Sequence, residues 1–444
     1  MSTATPIAPK HETYCIVTYG CQMNDNDSEI MSGILEGKGM RRVQTEAEAD
    51  VVLVNTCVVR EGAEERAVGR LNSLASLKKQ KPGMIVGITG CMAQNEGEMV
   101  SRKVPLADLV VGTRDLFKIG ELVDRAASTR ERIVSIQDVD KPVFLQNQPV
   151  RRKHGLKAFT TIMYGCNNFC SFCIVPRTRG REVSRPRADV VSEVRQLVQQ
   201  GYKEVMLLGQ NVNSYEHNGD DFADLLSAVN DVEGLERIRF ITSHPKDCSD
   251  KLIDTVASLP KLCTNFHLPV QAGSNRVLRR MKRFYTRDHY LDLIRRVRER
   301  VPGATISTDV ICGFPDETEE DFEETRQLLE EARWDSAFIF GYSPREGTKA
   351  AEWQDSIPGP VKKQRVHSCI QRQELISGEI NRTYEASIQQ VLVESVSKRR
   401  EHEMMGRTKG DKCVVFAGSA DLIGELVNVK ITDSHAHTLF GIAV

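Results

Sequence analysis

Short apolar runs alternate with helix-like stretches in the first part of the chain. The runs cover residues 15–19, 51–55 and 84–89, and stretches with helical periodicity lie at 27–35 and 61–77. Strands that alternate with helices are typical of a parallel, doubly wound α/β sheet. We therefore predict such a domain over residues 12–127. The polar stretch that follows contains Pro142 and Pro149 and predicts a linker over residues 128–156.

Six further apolar runs, separated by helical patterns, occupy residues 157–383. They cover residues 159–164, 204–208, 237–242, 265–268, 305–311 and 337–341. Six consecutive βα units indicate a partial TIM-like (βα)6 barrel. A flat doubly wound sheet is the alternative, because periodicity does not distinguish the two.

The last part of the chain changes to a period of two. Val427, Val429 and Ile431 alternate with polar residues, further strand-like runs lie at 391–393, 413–416 and 438–444, and glycines separate these runs. This pattern predicts a small all-β barrel over residues 384–444, of a kind that often binds nucleic acid or sugars.

The cysteine content needs an explanation in view of the predicted environment. The longest apolar stretch, residues 51–59, is too short to span a bilayer, and residues 1–12 lack the apolar segment of a secretory signal. We therefore expect a cytoplasmic protein that contacts no membrane. Disulfides are rare in that compartment, so the 12 cysteines indicate metal binding, catalysis or burial.

Three cysteines lie on one predicted loop. Cys166, Cys170 and Cys173 form a CxxxCxxC motif directly after the run at 159–164. Three thiolates can hold three irons of a 4Fe-4S cluster and leave the fourth iron open. Zinc is the first alternative, but a structural zinc site needs four ligands, and no histidine or fourth cysteine stands close in sequence. Simple burial is the second alternative, which the polar loop disfavours.

Three other cysteines each follow a predicted strand of the first domain. Cys21, Cys57 and Cys91 come just after the runs at 15–19, 51–55 and 84–89. The carboxyl ends of parallel strands meet at one edge of a sheet, where ligands bind. The pattern therefore predicts a second three-cysteine cluster site. Three isolated buried cysteines are the alternative.

An ordered set of motifs along the chain resembles the radical S-adenosylmethionine (SAM) methylthiotransferases of the MiaB type. The resemblance extends from about residue 12 to the end, and the tail Gly406-Arg407-Thr408 is similar to the TRAM module, a small RNA-binding β-barrel. Besides the CxxxCxxC motif, the matching segments are Gly20-Cys21-Gln22-Met23-Asn24, Asn55-Thr56-Cys57, Gly90-Cys91-Met92-Ala93-Gln94, Thr242-Ser243-His244-Pro245, Leu268-Pro269-Val270-Gln271-Ala272-Gly273-Ser274, Gly313-Phe314-Pro315 and Tyr342-Ser343-Pro344-Arg345.

The resemblance implies two 4Fe-4S clusters with different tasks. The cluster at Cys166, Cys170 and Cys173 would cleave SAM to a radical. The cluster at the three strand-end cysteines would present sulfur that a first SAM methylates. The methylthio group would then reach carbon 2 of an isopentenyladenosine next to the anticodon of tRNA. Relatives imply two alternative substrates, a threonylcarbamoyl-adenosine in tRNA and a ribosomal protein.

The resemblance also suggests residues that contact SAM. They all stand at or near predicted strand ends, where a TIM-like barrel keeps its ligand: Gly209, Gln210, Asn211, Ser243, Gln271 and Asp309. Helix-cap or turn roles are the alternative for each of them.

Basic residues cluster locally although the formal net charge is −1. Contacts between such residues and phosphates would give a salt-dependent affinity for RNA. The predicted RNA-binding residues are Arg177, Arg179, Arg181, Arg185 and Arg407. A solvated helix face is the alternative, and we prefer it for residues 295–300.

The leading hypothesis is thus a tRNA methylthiotransferase. We expect it to be a monomer that receives electrons from a donor such as flavodoxin or ferredoxin. A non-catalytic iron-sulfur RNA-binding regulator is the alternative from another class, but it would leave the CxxxCxxC motif unexplained.

Overall fold

The computed structural model describes residues 11–58, 61–139, 149–152, 155–398, 400 and 402–444. The chain forms two compact units. The first comprises the described residues of 1–153 together with Tyr164–Asn167 and Cys173–Val183, and the second comprises the remainder. Pro142 of the predicted linker lies outside the described residues.

A six-stranded sheet of parallel strands forms the core of the first unit. Its strands are β1 (Thr13–Tyr19), β2 (Arg41–Arg42), β3 (Val51–Thr56), β4 (Ile85–Gly90), β5 (Leu109–Val111) and β6 (Ile133–Ser135). The helices of this unit are α1 (Gln22–Gly37), α2 (Glu61–Ser73), α3 (Ala75–Gln80), α4 (Cys91–Glu96), α5 (Glu98–Lys103), α6 (Ile119–Thr129) and α7 (Val175–Thr178), with a 3-10 helix at Leu116–Lys118.

The strand order β2-β1-β3-β4-β5-β6 confirms the predicted doubly wound sheet. Successive residues of β3 enter apolar clusters on opposite faces, Val52 and Val54 on one and Val51 and Leu53 on the other. A strand buried on both faces is a continuous apolar run, which is why it was visible in the sequence. Strand β6 falls in the range that the sequence predicts as a linker.

The second unit carries two three-stranded parallel sheets, ordered β7-β10-β13 and β14-β15-β16. The strands of this region are β7 (Lys157–Thr161), β8 (Met163–Tyr164), β9 (Val183–Ser184), β10 (Glu204–Leu208), β11 (Glu216–His217), β12 (Asp220–Asp221), β13 (Arg237–Phe240), β14 (Asn265–His267), β15 (Thr305–Cys312) and β16 (Ser336–Gly341). The helices are α8 (Arg187–Gln199), α9 (Phe222–Asn230), α10 (Asp250–Ser258), α11 (Asn275–Arg280), α12 (Arg287–Arg300), α13 (Glu319–Ala332) and α14 (Gly359–Arg382), with 3-10 helices at Val212–Ser214, Pro245–Asp247 and Lys349–Glu352.

The six main strands follow one another in chain order, as a partial barrel requires. An isolated parallel bridge between Ile238 and Leu262 leads from the first sheet to the segment before β14. A flat doubly wound sheet would instead reverse its strand order at a switch point. The predicted partial (βα)6 barrel is therefore confirmed over its flat alternative.

A closed five-stranded barrel ends the second unit, in the order β17-β18-β19-β21-β20. Its strands are β17 (Ile388–Val396), β18 (Glu403–Arg407), β19 (Cys413–Ala417), β20 (Leu426–Ser434) and β21 (Leu439–Ala443), with a 3-10 helix at Ala420–Leu422. Val391, Val414, Phe416 and Val429 fill its core. The predicted small all-β barrel is thus confirmed.

Two buried arginines of β13 bind the small barrel through its backbone. Arg237 donates hydrogen bonds to the carbonyl oxygens of Arg407 (2.6 Å) and Gln390 (3.1 Å). Arg239 donates to the carbonyl oxygen of Thr408 (2.6 Å). Both arginine side chains are almost fully buried. We call Arg237 and Arg239 the arginine latch.

A buried carboxylate supports the latch from the neighbouring strand. Glu204 opens β10, and its Oε1 lies 3.1 Å from Nε of Arg239 and 3.5 Å from Nζ of Lys157. Arg239 and Glu204 are each 1% exposed. A buried charge needs such a partner, because its transfer out of water is costly.

Candidate functional site

Cys21, Cys57 and Cys91 follow three adjacent strands of the first sheet. The register pairs the last residues of β1 and β3 with each other, and likewise the last residues of β3 and β4. Cys57 and Cys91 come one residue after these level ends, and Cys21 comes two residues after. Neighbouring strands lie about 4.8 Å apart, so three cysteines at level ends share one sheet edge.

The Cys91 thiol responds to its surroundings at this edge. Burial, together with the charges of Cys57 and Cys21, raises the pKa of Cys91 to about 12, although Arg179 acts in the opposite direction. Backbone packing is equally close, since a Cβ on Gly20 would stand 3.0 Å from Cβ of Cys57. A bound metal ion deprotonates a coordinating thiol outright, so buried thiols of this kind suit metal ligation.

A buried ion pair stands beside these cysteines. Arg179 Nη2 lies 2.5 Å from Oδ2 of Asp27, and Nη1 lies 3.2 Å from Oδ1. Burial acts to lower the pKa of Arg179, but the charges of Asp27 and Cys91 hold it above its ordinary value. Arg114 donates to the carbonyl oxygen of Arg179 (2.7 Å) and fixes its backbone. Arg179 thus turns inward, although sequence reasoning placed it among the RNA contacts.

The first unit holds two cysteines of the CxxxCxxC motif, Cys166 and Cys173. The Cys166 backbone N–H donates to the carbonyl oxygen of Gly180 (3.1 Å). Gly165 makes the preceding turn with φ +76°, and a Cβ there would stand 2.0 Å from the Arg181 carbonyl oxygen. Only glycine fits this turn, so the entry to the motif is fixed by the backbone.

The second unit holds the remaining cysteine of the motif, Cys170, and a buried arginine contacts it. Nη1 of Arg283 lies 3.4 Å from Sγ of Cys170, and Nε donates to the hydroxyl of Tyr285 (3.0 Å). Nη2 donates to the carbonyl oxygen of Pro269. Burial raises the pKa of Tyr285, so its hydroxyl stays neutral. Sequence reasoning missed Arg283, because no periodicity or motif marks a buried arginine.

The donor chemistry of both triads fits iron-sulfur clusters. Each set consists of three thiols, and a cluster distributes three thiolates over three different irons. No three His, Cys, Asp or Glu side chains within the described ranges lie close enough to hold a single metal ion.

The segment after β10 contains three predicted SAM contacts. Gly209 is buried and Gln210 is half-buried. Asn211 is 2% exposed, and its amide accepts from the backbone N–H of His244 (2.9 Å) and donates to Asp247 (2.8 Å). The side chain of Asn211 thus links the ends of β10 and β13.

Two buried polar atoms follow β13 without a hydrogen-bond partner among the described residues. They are Oγ of Ser243 and Nε2 of His244. The other ring nitrogen of His244 accepts from the backbone N–H of Lys246 (3.3 Å) and caps a 3-10 helix. Buried polar atoms are nearly always paired, so these two are available to a bound water or ligand.

The last predicted SAM contacts lie side by side. The backbone N–H of Gln271 donates to the carbonyl oxygen of Asp309 (2.9 Å). Asp309 Oδ2 lies 3.5 Å from Nε2 of His267. Gln271 and Thr242 adopt positive φ angles of 75° and 73°. Such backbone strain in non-glycine residues concentrates at functional sites.

The remaining predicted RNA contacts differ in exposure. Arg177 and Arg181 are exposed. Arg185 is buried, and its Nη1 donates to the carbonyl oxygen of Thr161 (2.6 Å) and to Glu193 (2.8 Å). Arg407 is half-exposed and donates to the carbonyl oxygen of Asp411 (3.0 Å).

No helix within the described residues is long and apolar enough to cross a membrane.

Three family matches divide the chain. Residues 13–112 match an uncharacterized protein family, UPF0004, residues 160–329 match the Radical SAM superfamily, and residues 382–444 match the TRAM domain.

Curated relatives match almost the whole chain. A tRNA-2-methylthio-N(6)-dimethylallyladenosine synthase from Syntrophomonas wolfei subsp. wolfei is 49% identical over 431 residues, which cover 96% of this chain and 97% of that protein. A protein of the same name from Clostridium botulinum (strain Hall) is 46% identical over 433 residues, which cover 96% of each chain.

Solved structures with the same fold are more distant in sequence. The radical SAM methyltransferase TsrM from Kitasatospora setae, with cobalamin and a [4Fe-4S] cluster bound, superposes with a TM-score of 0.53 at 15% identity over 77% of each chain. The cobalamin-dependent SAM radical enzyme OxsB gives a TM-score of 0.55 at 11% identity, covering 83% of this chain and 56% of that chain.

Proposed function

Because the chain belongs to the tRNA-2-methylthio-N(6)-dimethylallyladenosine synthase (MiaB) family of radical SAM methylthiotransferases, we infer that it attaches a methylthio group to carbon 2 of isopentenyladenosine in tRNA. It is an enzyme that uses SAM and 4Fe-4S chemistry. The site within tRNA that we propose is the adenosine next to the anticodon.

The observation that carries the finer proposal is the presence of two separate cysteine triads. We propose that Cys166, Cys170 and Cys173 hold one cluster and that Cys21, Cys57 and Cys91 hold a second. When bound, the first cluster supplies the electron that cleaves SAM, and the second supplies the sulfur. The level strand ends and the effect of Cys57 and Cys21 on the buried Cys91 thiol support the second triad.

Residues at the strand ends of the partial barrel would bind and orient SAM. We propose Gly209, Gln210 and Ser243 as direct contacts, because the Ser243 hydroxyl is buried and has no partner among the described residues. We also propose Gln271 and Asp309 as SAM contacts, and the backbone N–H of Gln271 donates to the carbonyl oxygen of Asp309. Asn211 contributes by holding the backbone of the segment after β13 in place.

Recognition of tRNA would combine exposed arginines with the TRAM barrel. We propose Arg177 and Arg181 as phosphate contacts, because both are exposed and follow the CxxxCxxC motif directly. Arg407 would contribute from the TRAM barrel. We also propose Arg179 and Arg185 as RNA contacts. Each of them would have to leave its present ion pair to reach a phosphate. A base in an anticodon loop is accessible when it is splayed out of the stack.

Further parts of the proposal concern organisation and partners. We propose a division into a methylthiotransferase domain (12–127), a linker (128–156), a radical SAM core (157–383) and a TRAM domain (384–444). We also propose a cytoplasmic monomer that receives single electrons from flavodoxin or ferredoxin.

The proposal is tested by iron and sulfide counts on triad variants purified without oxygen. The intact chain should hold about eight irons, and replacement of either triad by alanine should leave about four. Loss of the strand-end triad should abolish methylthio transfer but retain SAM cleavage. Cys15→Ala is the matched control, because Cys15 is a buried cysteine of the same sheet outside both triads. SAM cleavage that requires the strand-end triad in a folded, four-iron protein would refute this division of tasks.

The substrate is tested in a strain that lacks the gene. Mass analysis of its tRNA nucleosides should show isopentenyladenosine without the methylthio group. Persistence of the methylthio form, or loss of the methylthio group from threonylcarbamoyl-adenosine instead, would contradict the proposed substrate.

A further inference from the structure

Each cysteine triad has one buried arginine beside it, and the two arginines differ in how their charge is balanced. Arg179 stands at the strand-end triad, where its pKa responds to Cys91 and Cys21. Arg283 stands at the CxxxCxxC motif, in hydrogen-bond distance of Cys170. Both are about 5% exposed. The two arginines therefore differ in the electrostatic effect that each would have on a cluster beside it.

The charge of Arg179 is neutralised locally. Asp27 is 1% exposed and receives both Nη atoms of the guanidinium. A bidentate pair of this kind is geometrically fixed and carries no net charge. The strand-end triad therefore experiences a dipole from this pair and little net positive charge.

The charge of Arg283 is not neutralised by a carboxylate. Its partners are a carbonyl oxygen of Pro269, the neutral hydroxyl of Tyr285 and the sulfur of Cys170. No carboxylate in the part of the chain that the structure describes forms an ion pair with it. An isolated buried guanidinium costs several kcal/mol unless a negative group compensates it. The group within reach that would become negative on binding a metal is Cys170, because a coordinating thiol is deprotonated by the metal.

We propose that Arg283 is a positioning residue that raises the reduction potential of the cluster held by Cys166, Cys170 and Cys173, whereas the Asp27–Arg179 pair leaves the potential of the strand-end cluster low. This inference rests on the proposed function. Reduction by a one-electron donor of the flavodoxin or ferredoxin class would add one negative charge to the cluster that these cysteines hold. A fixed positive charge and a hydrogen bond to sulfur both stabilise the reduced form. The electron is thereby directed to the site where SAM is cleaved.

The experiment measures each cluster alone in the full-length chain. A chain with the strand-end triad replaced by alanine holds only the first cluster, and a chain with the CxxxCxxC triad replaced holds only the second. Reductive titration followed by electron paramagnetic resonance gives the potential of each. In the first chain, Arg283→Gln should lower the ratio of reduced to oxidised cluster at a fixed potential at least tenfold, which is about 59 mV for one electron. Arg283→Lys, which keeps the charge, should give a smaller shift.

In the second chain, which holds only the strand-end cluster, the expected shift of the reduction potential is upward. Asp27→Asn leaves the Arg179 charge unbalanced, so it should raise the ratio of reduced to oxidised cluster at least tenfold. Arg298→Gln is the control, because Arg298 also donates to a backbone carbonyl oxygen, that of Arg333 (2.7 Å), away from both triads. It should shift neither potential.

The outcomes separate this inference from the proposed function. Unchanged potentials in Arg283→Gln with its four irons retained would overturn the inference. If Arg283→Gln fails to hold iron, an unchanged potential in Asp27→Asn overturns it instead. Failure of either triad to hold a cluster in the parent chains would refute the proposed function itself, whatever the arginine variants show.

Discussion

Replacement of Arg239 by methionine should loosen the arginine latch and free the TRAM barrel from the core. The substitution removes a guanidinium that is 1% exposed and leaves Glu204, also 1% exposed, with Lys157 at 3.5 Å as its remaining cation. Breaking one side of a buried ion pair costs about 3–5 kcal/mol. Because Lys157 still offsets part of the charge, we expect the low end, about 3 kcal/mol. That value corresponds to a change of about a hundredfold in an equilibrium constant.

Hydrogen exchange measures this change where it occurs. The Lys412 backbone N–H donates to the hydroxyl of Thr408, whose carbonyl oxygen accepts from Arg239, so amides of residues 408–412 report on the latch. Their exchange should accelerate about a hundredfold in Arg239→Met. The KM for tRNA should rise, while SAM cleavage in the absence of tRNA should stay unchanged.

A double variant separates the effect of the buried charge from the effect of side-chain packing. Replacement of a whole buried ion pair by apolar residues is often close to neutral. Arg239→Met combined with Glu204→Leu should therefore recover most of the protection that the single variant loses. The reasoning is refuted if exchange in Arg239→Met matches that of the parent, or if the double variant is as labile as the single one.

Three further predictions concern the sites themselves. A Cβ on Gly20 would stand 2.3 Å from Oδ1 of Asn24, so Gly20→Ala should lower the iron count from about eight to about four by elemental analysis. Burial lowers the pKa of His244 to about 2, so below pH 6.5 the unfolded chain binds a proton there and the folded chain does not. The free energy of unfolding therefore falls by up to about 1.4 kcal/mol per pH unit between pH 6.5 and 5. Denaturation curves of His244→Asn should lack this contribution. Arg177→Ala with Arg181→Ala should weaken tRNA binding and reduce the slope of log K against log salt by about 1 for each phosphate that the variant no longer neutralises, and an unchanged slope would contradict direct binding of phosphates by these arginines.

The strand-end triad could be anticipated because its signal is local. Each of Cys21, Cys57 and Cys91 directly follows an apolar run, and parallel strands bring such positions to one edge. The structure adds the register, which makes the ends of β1, β3 and β4 level. That alignment depends on pairing between residues about 35 apart, which no local pattern encodes. The short strands β2, β5 and β6 were missed for the same reason, since two or three residues carry no periodicity.

The orientation of arginine side chains could not be anticipated. The alternating arginines from 177 to 187 are typical of a basic surface, yet Arg179 turns to Asp27 and Arg185 turns to Glu193. The choice of these partners depends on which side chains the fold brings together and buries, and the amino-acid composition does not show this. Arg283 could not be predicted for the same reason, because its partners are a backbone carbonyl oxygen, a hydroxyl and a thiol that only the fold brings together. By contrast, Arg295 and Arg296 form ion pairs along their own exposed helix, as the solvated-face interpretation predicts.

The arginine latch has a consequence for how this architecture can evolve. Arg237 and Arg239 hold the TRAM barrel by carbonyl oxygens of Gln390, Arg407 and Thr408, so the attachment depends on the path of the barrel's backbone and little on its side chains. Mutations can therefore change the exposed surface of the barrel without loosening it from the core. Related enzymes could exchange C-terminal barrels with different surfaces, provided that the loop after β18 keeps its shape.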